Sequence, residues 1–264
     1  SAAPPLVYDS GLGRLDAGVA EAGVLRLRRD QLADGGWPSW PGATESGATA
    51  TAAAVAGLCS AGVEDDCLLR GRAALARLGT ATLDPVASLA LVVAGELSVA
   101  DVKCPPLGVV LIPGFETFLG RHFQAETLLV AVQAAAVGHA LKEGAGMPSR
   151  WLDPLDRLAA NRLLHLLTQW QNPGSGSWIG VFPSTILGAC ALYALGVPRS
   201  DERIERALAQ IQRWSSVVDG ALHVAPYESE VWDSALMARA WLEGGGNPGD
   251  PVVRRAVDFV VREQ

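Results

Sequence analysis

"RRDQLADGGWPSW", Arg28 to Trp40, breaks an otherwise helix-forming sequence, and its reading decides the fold. Gln31, Asp34, Gly35, Gly36, Trp37, Pro38 and Trp40 stand close together, just ahead of the alanine- and threonine-rich run Ala48–Gly62. Glycine and proline stop a helix. A tryptophan left in such a turn needs something to pack against.

The order recurs. "QNPGSGSW" (Gln171–Trp178) repeats Gln, Gly, Ser/Gly, Trp with one extra residue before the tryptophan. "QRWSSVVDGAL" (Gln212–Leu222) reads as a degraded copy in which Leu222 stands near the tryptophan position. Each copy ends a charged, outer-type helix and precedes an apolar, inner-type one, so the repeat is structural. The glutamine can satisfy orphan backbone groups at a helix end, and Asp-Gly-Gly makes the tight turn. The tryptophan folds back on the helix ends, with its indole N–H free to find a partner. These tryptophans are expected to be staples between hairpins, serving stability rather than chemistry.

Between the turns lie Ala48–Gly62, Leu68–Gly79, Asp84–Leu97, Gln124–Leu141, Leu155–Trp170, Ser184–Gly196, Ser200–Trp214, Glu230–Gly245 and Asp250–Gln264. Most carry apolar residues at i, i+3, i+4 and i+7, the spacing of a helix with one buried face. Asp84-Pro85, Ser200 followed by Asp201 and Glu202, and Asp250-Pro251 read as helix starts. No stretch alternates with period two, so the expected class is all-α. Ala48–Gly62 and Thr127–Val137 are apolar nearly all round, whereas Asp201–Trp214 and Val252–Glu263 carry charge on one face. Apolar helices inside and amphipathic helices outside predict an (α/α) barrel, a toroid of helical hairpins. A simple bundle is the alternative.

The 264 residues suffice for one large domain or two small ones, and 49 % hydrophobic against 19 % charged residues suits a packed protein rather than a disordered one. The net charge of −7, with no Lys/Arg cluster, excludes nucleic acid as a partner. Cys59, Cys67, Cys104 and Cys190 fall at no metal-ligand spacing and read as reduced core thiols of a cytoplasmic protein. The opening "SAAPPLVYDS" has no signal-peptide pattern and no initiator Met, so residues are expected to have been removed. The apolar runs near Val86–Ala94 and Thr127–Val137 are too short to span a bilayer. The expectation is a soluble protein that touches a membrane at most peripherally.

"QLADGGW" (Gln31–Trp37) is a complete Q-x-x-D-G-G-W and resembles the QW repeat of squalene-hopene cyclases and class II diterpene cyclases. "VYDSGLGRL" (Val7–Leu15) looks like the stretch that opens bacterial copalyl-diphosphate-synthase-type enzymes. "GSWIGVFPSTILGACALYALG" (Gly176–Gly196) looks like the repeat that closes their first barrel, and "SEVWDSALMARAWLEGG" (Ser229–Gly245) like the helix that leads into their second. The resemblance covers nearly the whole chain. It implies a γ-type α/α barrel over residues 1–225 and the first helices of a β-type barrel over 226–264. It also implies a substrate: a linear isoprenoid, geranylgeranyl diphosphate or squalene, held in a hydrophobic cavity between barrels. The central Asp of a D-x-D-D motif protonates its terminal alkene or epoxide, and ring closures follow as a carbocation cascade. Such chemistry needs a strong acid, aromatic faces for cations and exclusion of water.

Here the chain departs from the pattern, for it contains no D-x-D-D. "VEDD" (Val63–Asp66) lacks the first Asp and reads as a solvated turn. The chain stops at Gln264, where the next Gln-x-x-x-Gly-x-Trp repeat would begin. What is expected is a cyclase cut off before its acid, inactive alone and needing the β half in cis or as a second chain.

By the same resemblance Trp232 stands on the cavity wall and Asp233 near the acid motif, against the plainer reading of a core tryptophan and an N-terminal helix acid. Tyr227 offers a further cavity aromatic, and Phe182 and Pro183 match a cavity-lining loop. Phe182 replaces a polar residue of the triterpene enzymes, which weakens that reading. Arg121 and His122 would suit a substrate diphosphate, although surface charges at a helix start are the commoner meaning. "GFE" (Gly114–Glu116) is preceded by "KCPPLGVVLIP", which has no acid, so no tight metal site is expected and Mg2+ would arrive only with the diphosphate. His139, His165 and His223 stand alone. The leading reading is a bacterial class II diterpene cyclase making a copalyl-type bicyclic diphosphate. The alternatives are a squalene-hopene-type triterpene cyclase fragment and a non-catalytic helical toroid or split-cyclase subunit. A protein prenyltransferase would need a zinc site, and a glycosidase two opposed carboxylates; neither set stands out.

Overall fold

Alanine and leucine give most of this chain its local preference for helix, and a computed structural model bears that out. It describes residues 17–102, 106–114, 125–142, 154–225 and 229–263. Arg121, His122 and Tyr227 lie outside these described residues, so the expectations placed on them stay with the sequence. The chain divides into two compact units, Ser1–Ala225 and Pro226–Gln264.

In the first unit the described helices are α1 (Ala17–Asp30), α2 (Ala48–Ser60), α3 (Asp66–Leu78), α4 (Pro85–Val93), α5 (Ala125–Lys142), α6 (Pro154–Trp170), α7 (Phe182–Ala194) and α8 (Glu202–Trp214), with 3-10 turns at Val99–Asp101 and Leu107–Leu111. The second unit holds α9 (Glu230–Glu243) and α10 (Pro251–Arg262).

Three hairpins share one construction. α2, α7 and α9 each end in a glycine with positive φ, Gly62, Gly196 and Gly245, a conformation that residues with a Cβ avoid. An aspartate then caps the next helix. Asp65 accepts from the Leu68 N–H at 3.3 Å, Asp201 from Arg203 at 3.0 Å and Asp250 from Val252 at 2.8 Å. Asp84 caps α4 the same way, accepting from Ala87 at 2.8 Å. The cap of α8 is therefore Asp201, one residue later than the Ser200 start expected. Within "VEDD", Asp65 is a cap.

The described residues are mostly helical, as an all-α class requires, with one short hairpin that the period-two reading did not mark. Ser215–Val218 (β1) and Ala221–Val224 (β2) pair antiparallel, Val217 opposite Leu222. Asp219 (φ 51°) and Gly220 (φ 74°) make the left-handed two-residue turn that suits a right-twisted hairpin. "VVDGAL" carries that Asp-Gly signal outright. Reading it as a worn copy of the tryptophan repeat hid it.

The apolar helices form one layer, α2 packing on α4, α4 on α5 and α5 on α7. Amphipathic α3 covers α2, α8 covers α7, and the 3-10 turn Leu107–Leu111 lies on α6. One apolar cluster gathers Trp37, Val55, Leu58, Leu68 and Leu91, and a larger one Leu163, Leu166, Trp178, Leu192 and Ile204. In the second unit, α9 packs on α10. α10 buries Val253, yet no residue of α9 is buried. α9 is nonetheless apolar on most sides, and Trp232, Leu236, Met237 and Trp241 are all exposed. In the first unit such a helix is buried.

Candidate functional site

The two complete tryptophan turns are the best-defined polar constructions in the chain, and they match group for group. Gln31 Nε2 donates to Gly35 O at 2.9 Å and to Cys67 O, in the first turn of α3, at 2.8 Å. Gln171 Nε2 donates to Gly176 O at 2.9 Å and to Arg203 O, in the first turn of α8, at 2.8 Å. The glutamine thus ties its turn to the next outer helix rather than capping its own. The Trp37 backbone N–H donates to Thr51 Oγ1 at 3.1 Å and that of Trp178 to Thr185 Oγ1 at 3.2 Å. Both indoles point back, Trp37 Nε1 to Leu27 O at 2.8 Å and Trp178 Nε1 to Leu167 O at 2.9 Å. Each accepting leucine lies one helical turn before its glutamine. Trp37 is 4 % exposed and Trp178 fully buried, as staples must be.

Two arginines per turn complete the set, and the sequence reading passed over them. Arg77 donates to Asp34 O at 3.1 Å and Arg213 to Ser175 O at 3.0 Å. Arg70 pairs with Asp66 at 3.2 Å and Arg206 with Glu202 at 2.9 Å. The signal was present: Asp65, Arg70 and Arg77 have the same spacing as Asp201, Arg206 and Arg213. The copies differ in how the capping aspartate is neutralised. Arg28 of α1 reaches Asp65 at 2.6 Å, whereas Arg203 of α8 itself reaches Asp201 at 2.8 Å. The guanidinium hydrogen bond holds each carboxyl below the ordinary carboxylate range.

A second polar cluster joins α2, α3 and the end of α4. Arg72 Nε donates to Glu96 Oε2 at 3.0 Å, and the Cys59 thiol donates to Glu96 Oε1 at 3.2 Å. Hydrogen bonding from Arg72 holds Glu96 below its usual value, while burial and the adjacent carboxylate push Cys59 up to about 11. Because Glu96 is depressed in the folded state, its contribution to stability is present above the ordinary value of 4.5 and is lost as pH falls through the folded one. Urea titrations from pH 7 down to about pH 3 should show Glu96→Gln converging on the wild type in acid. A constant difference would remove Glu96 from the acid response. Cys59 should resist alkylation at pH 8 until the protein unfolds.

The four described residues nominated for substrate fall into two pairs. Phe182 and Pro183 open α7 rather than lying in a loop. The half-buried Phe182 ring packs at a tilt on buried Trp214, centroids 6.2 Å apart, and Pro183 is exposed. Trp232 and Asp233 share the first turn of α9. Trp232 is 68 % exposed, and the Asp233 carboxylate accepts from Ser229 Oγ at 2.7 Å. The plain reading of Trp232 as a core residue does not hold, whereas Asp233 does sit where a helix N-terminus favours an acid.

A cavity of about 530 Å3 opens beside the second turn, between Thr168, Gln171, Asp201, Arg203 and Arg206. Its wall is as apolar as it is polar, and the charges on it pair with one another, Arg203 with Asp201 and Arg206 with Glu202. Among the described residues no group of His, Cys, Asp or Glu is placed to hold a metal ion. Among them, too, no helix is long and apolar enough to cross a membrane.

No protein-family model matches the chain. Over 90 residues it is 29 % identical to the dammaradiene synthase of Dryopteris crassirhizoma. The match covers 34 % of this chain and only 13 % of that protein. The likeness is partial and distant. It links the chain to terpene cyclases at that coarse level.

Proposed function

We propose that this chain is part of a class II diterpene cyclase, which cyclises geranylgeranyl diphosphate to a copalyl-type bicyclic diphosphate after protonating its terminal alkene. The observation that carries the reading is the pair of tryptophan turns built from the same hydrogen bonds at Gln31–Trp37 and Gln171–Trp178. The partial likeness to a dammaradiene synthase supports the same general chemistry. In this reading residues 1–225 form a γ-type α/α toroid. Support comes from the β-hairpin at the end of that unit, which lies on α1, so that its last and first described elements meet as a closed ring requires. Residues 226–264 are the first helices of a β-type barrel, and the exposed apolar sides of α9 await the rest of it.

The roles follow from the chemistry. Trp232 offers an aromatic face to a cation, and Tyr227 and Phe182 are each further aromatic candidates for that role. Asp233 adds negative charge near the acid, Pro183 shapes the wall, and Arg121 and His122 meet the diphosphate. Protonating an unactivated alkene needs a strong, positioned acid, and no D-x-D-D occurs in these 264 residues.

The test is product analysis by mass spectrometry with geranylgeranyl diphosphate and with squalene. The isolated chain should give no cyclised product. Joined to an acid-bearing β half of a related cyclase, in cis or as a second chain, it should turn over geranylgeranyl diphosphate. In that assembly Trp232→Ala should lower turnover or divert products. In the isolated chain the same change should leave stability within about 0.5 kcal/mol of wild type, because the side chain is exposed. Turnover by the isolated chain would refute the missing-acid argument. The second reading is a squalene-hopene-type triterpene cyclase, favoured by the relative's name and detected as turnover of squalene alone. Silence on both substrates would favour a non-catalytic toroid.

A further inference from the structure

α1, the first described helix of its unit, buries little of its own surface. Among its described residues only Ala22 is buried, against eight residues of α7. Its C-terminal end has two firm attachments, the Trp37 indole on Leu27 O and the Arg28–Asp65 ion pair. Its preceding turns meet the β-hairpin as well as the apolar cluster around Trp37, against which Val24 packs. The Leu222 methyl stands 3.6 Å from the position a Cβ on Gly23 would take, and a Leu25 methyl 3.5 Å from the same point on Gly220. Arg26 Nη1 lies 3.4 Å from His223 Nε2 and is on the side chain that also pairs with Asp30.

The hairpin is well fixed at its own base. Trp214, the last residue of α8, is buried against Phe182. The Ala225 N–H donates to Trp214 O at 2.9 Å, closing the open end of the ladder, and Ser215 Oγ donates to Ile211 O at 2.8 Å. Ala221 is buried at the turn side of β2. A hairpin of two strands is marginal unless something anchors it. Here α8 anchors it, and it in turn covers a helix with little burial of its own.

We propose that the hairpin Ser215–Val224 is a clasp on α1: when it lets go, the first turns of α1 open as a local unit while α2 to α8 stay folded. Segments that open below the global unfolding energy are those with few buried apolar contacts, and α1 fits that description. Opening would uncover the half-buried Val24, while the Leu27 carbonyl stays on the Trp37 indole N–H. The inference concerns this chain's own packing and holds whether or not the cyclase reading does.

Hydrogen exchange read by mass spectrometry on the full 264-residue chain tests it. Leu222→Asp puts an unpaired charge against Gly23 and should speed exchange of the amides in residues 18–26 by about tenfold or more. Amides of α5 and α7 should exchange as in the wild type. Gly23→Asp, made from the opposite side of the contact, should reproduce the same local pattern. Should Leu222→Asp unfold the unit, Leu222→Ala provides the milder change. Unaltered α1 exchange in both Leu222 variants, or loss of α1 and α7 protection together in Leu222→Ala, would overturn the clasp.

Discussion

Trp178→Ala should destabilise the first unit by about 3–5 kcal/mol, the range for deleting a large buried aromatic. Domains of this kind have roughly 5–15 kcal/mol in total, so the variant should sit close to unfolding at room temperature. Three losses coincide. The fully buried indole is lost, the Leu167 carbonyl loses one of its two donors and keeps only the Gln171 N–H, and a cavity is left where the ring stood. The socket is built around the ring: a Cβ on Gly188 would stand 2.5 Å from it, and a Cβ on Gly71 would stand 2.8 Å from the Trp37 ring. Urea unfolding followed by circular dichroism measures the loss, with Trp40→Ala as the control because Trp40 is 65 % exposed in the neighbouring loop. A loss at Trp178 no larger than at Trp40 would show that the turns are not staples.

The second large effect is expected from a single methyl group. Gly176 has φ +82°, and a Cβ there would lie 2.6 Å from the Arg206 backbone carbon of α8. The left-handed conformation alone costs a residue with a Cβ about 1–2 kcal/mol. The clash adds about 1–3 kcal/mol, because α8 must move away from the turn. That movement would also stretch the bond from Gln171 Nε2 to Arg203 O. Gly42→Ala separates the two contributions, since Gly42 has φ +85° but nothing within 4 Å of its added Cβ. Gly176→Ala should therefore lose more stability in urea than Gly42→Ala by the clash contribution. Equal losses would mean that the close approach to α8 contributes nothing.

Where expectation and structure agree, the deciding residues are close in sequence. Asp84 and Asp250 cap their helices with the backbone N–H groups two or three residues on. Ala48–Gly62 and Ser200–Trp214 became helices close to their proposed limits because propensity and periodicity act within a few turns. The hairpin was misread although its Asp-Gly turn is equally local, because the repeat template was given precedence over turn chemistry. The candidate site was legible only as residue types. Trp232 could be named from its pattern, but its exposure depends on what stands opposite α9.

By itself, then, the sequence determined the helices, their caps and the order Gln, Gly, Trp in each turn, because each of these is settled by backbone preferences and hydrogen bonds over a handful of residues. Tertiary structure alone decided that Gln31 and Gln171 reach forward to Cys67 and Arg203, that Arg28 and Arg203 serve one purpose from opposite helices, and that Leu222 lies on α1. Apart from the local Arg203–Asp201 pair, those contacts join residues more than thirty positions apart. No local preference encodes which distant partner meets them, since that depends on the packing of whole apolar helices around each tryptophan.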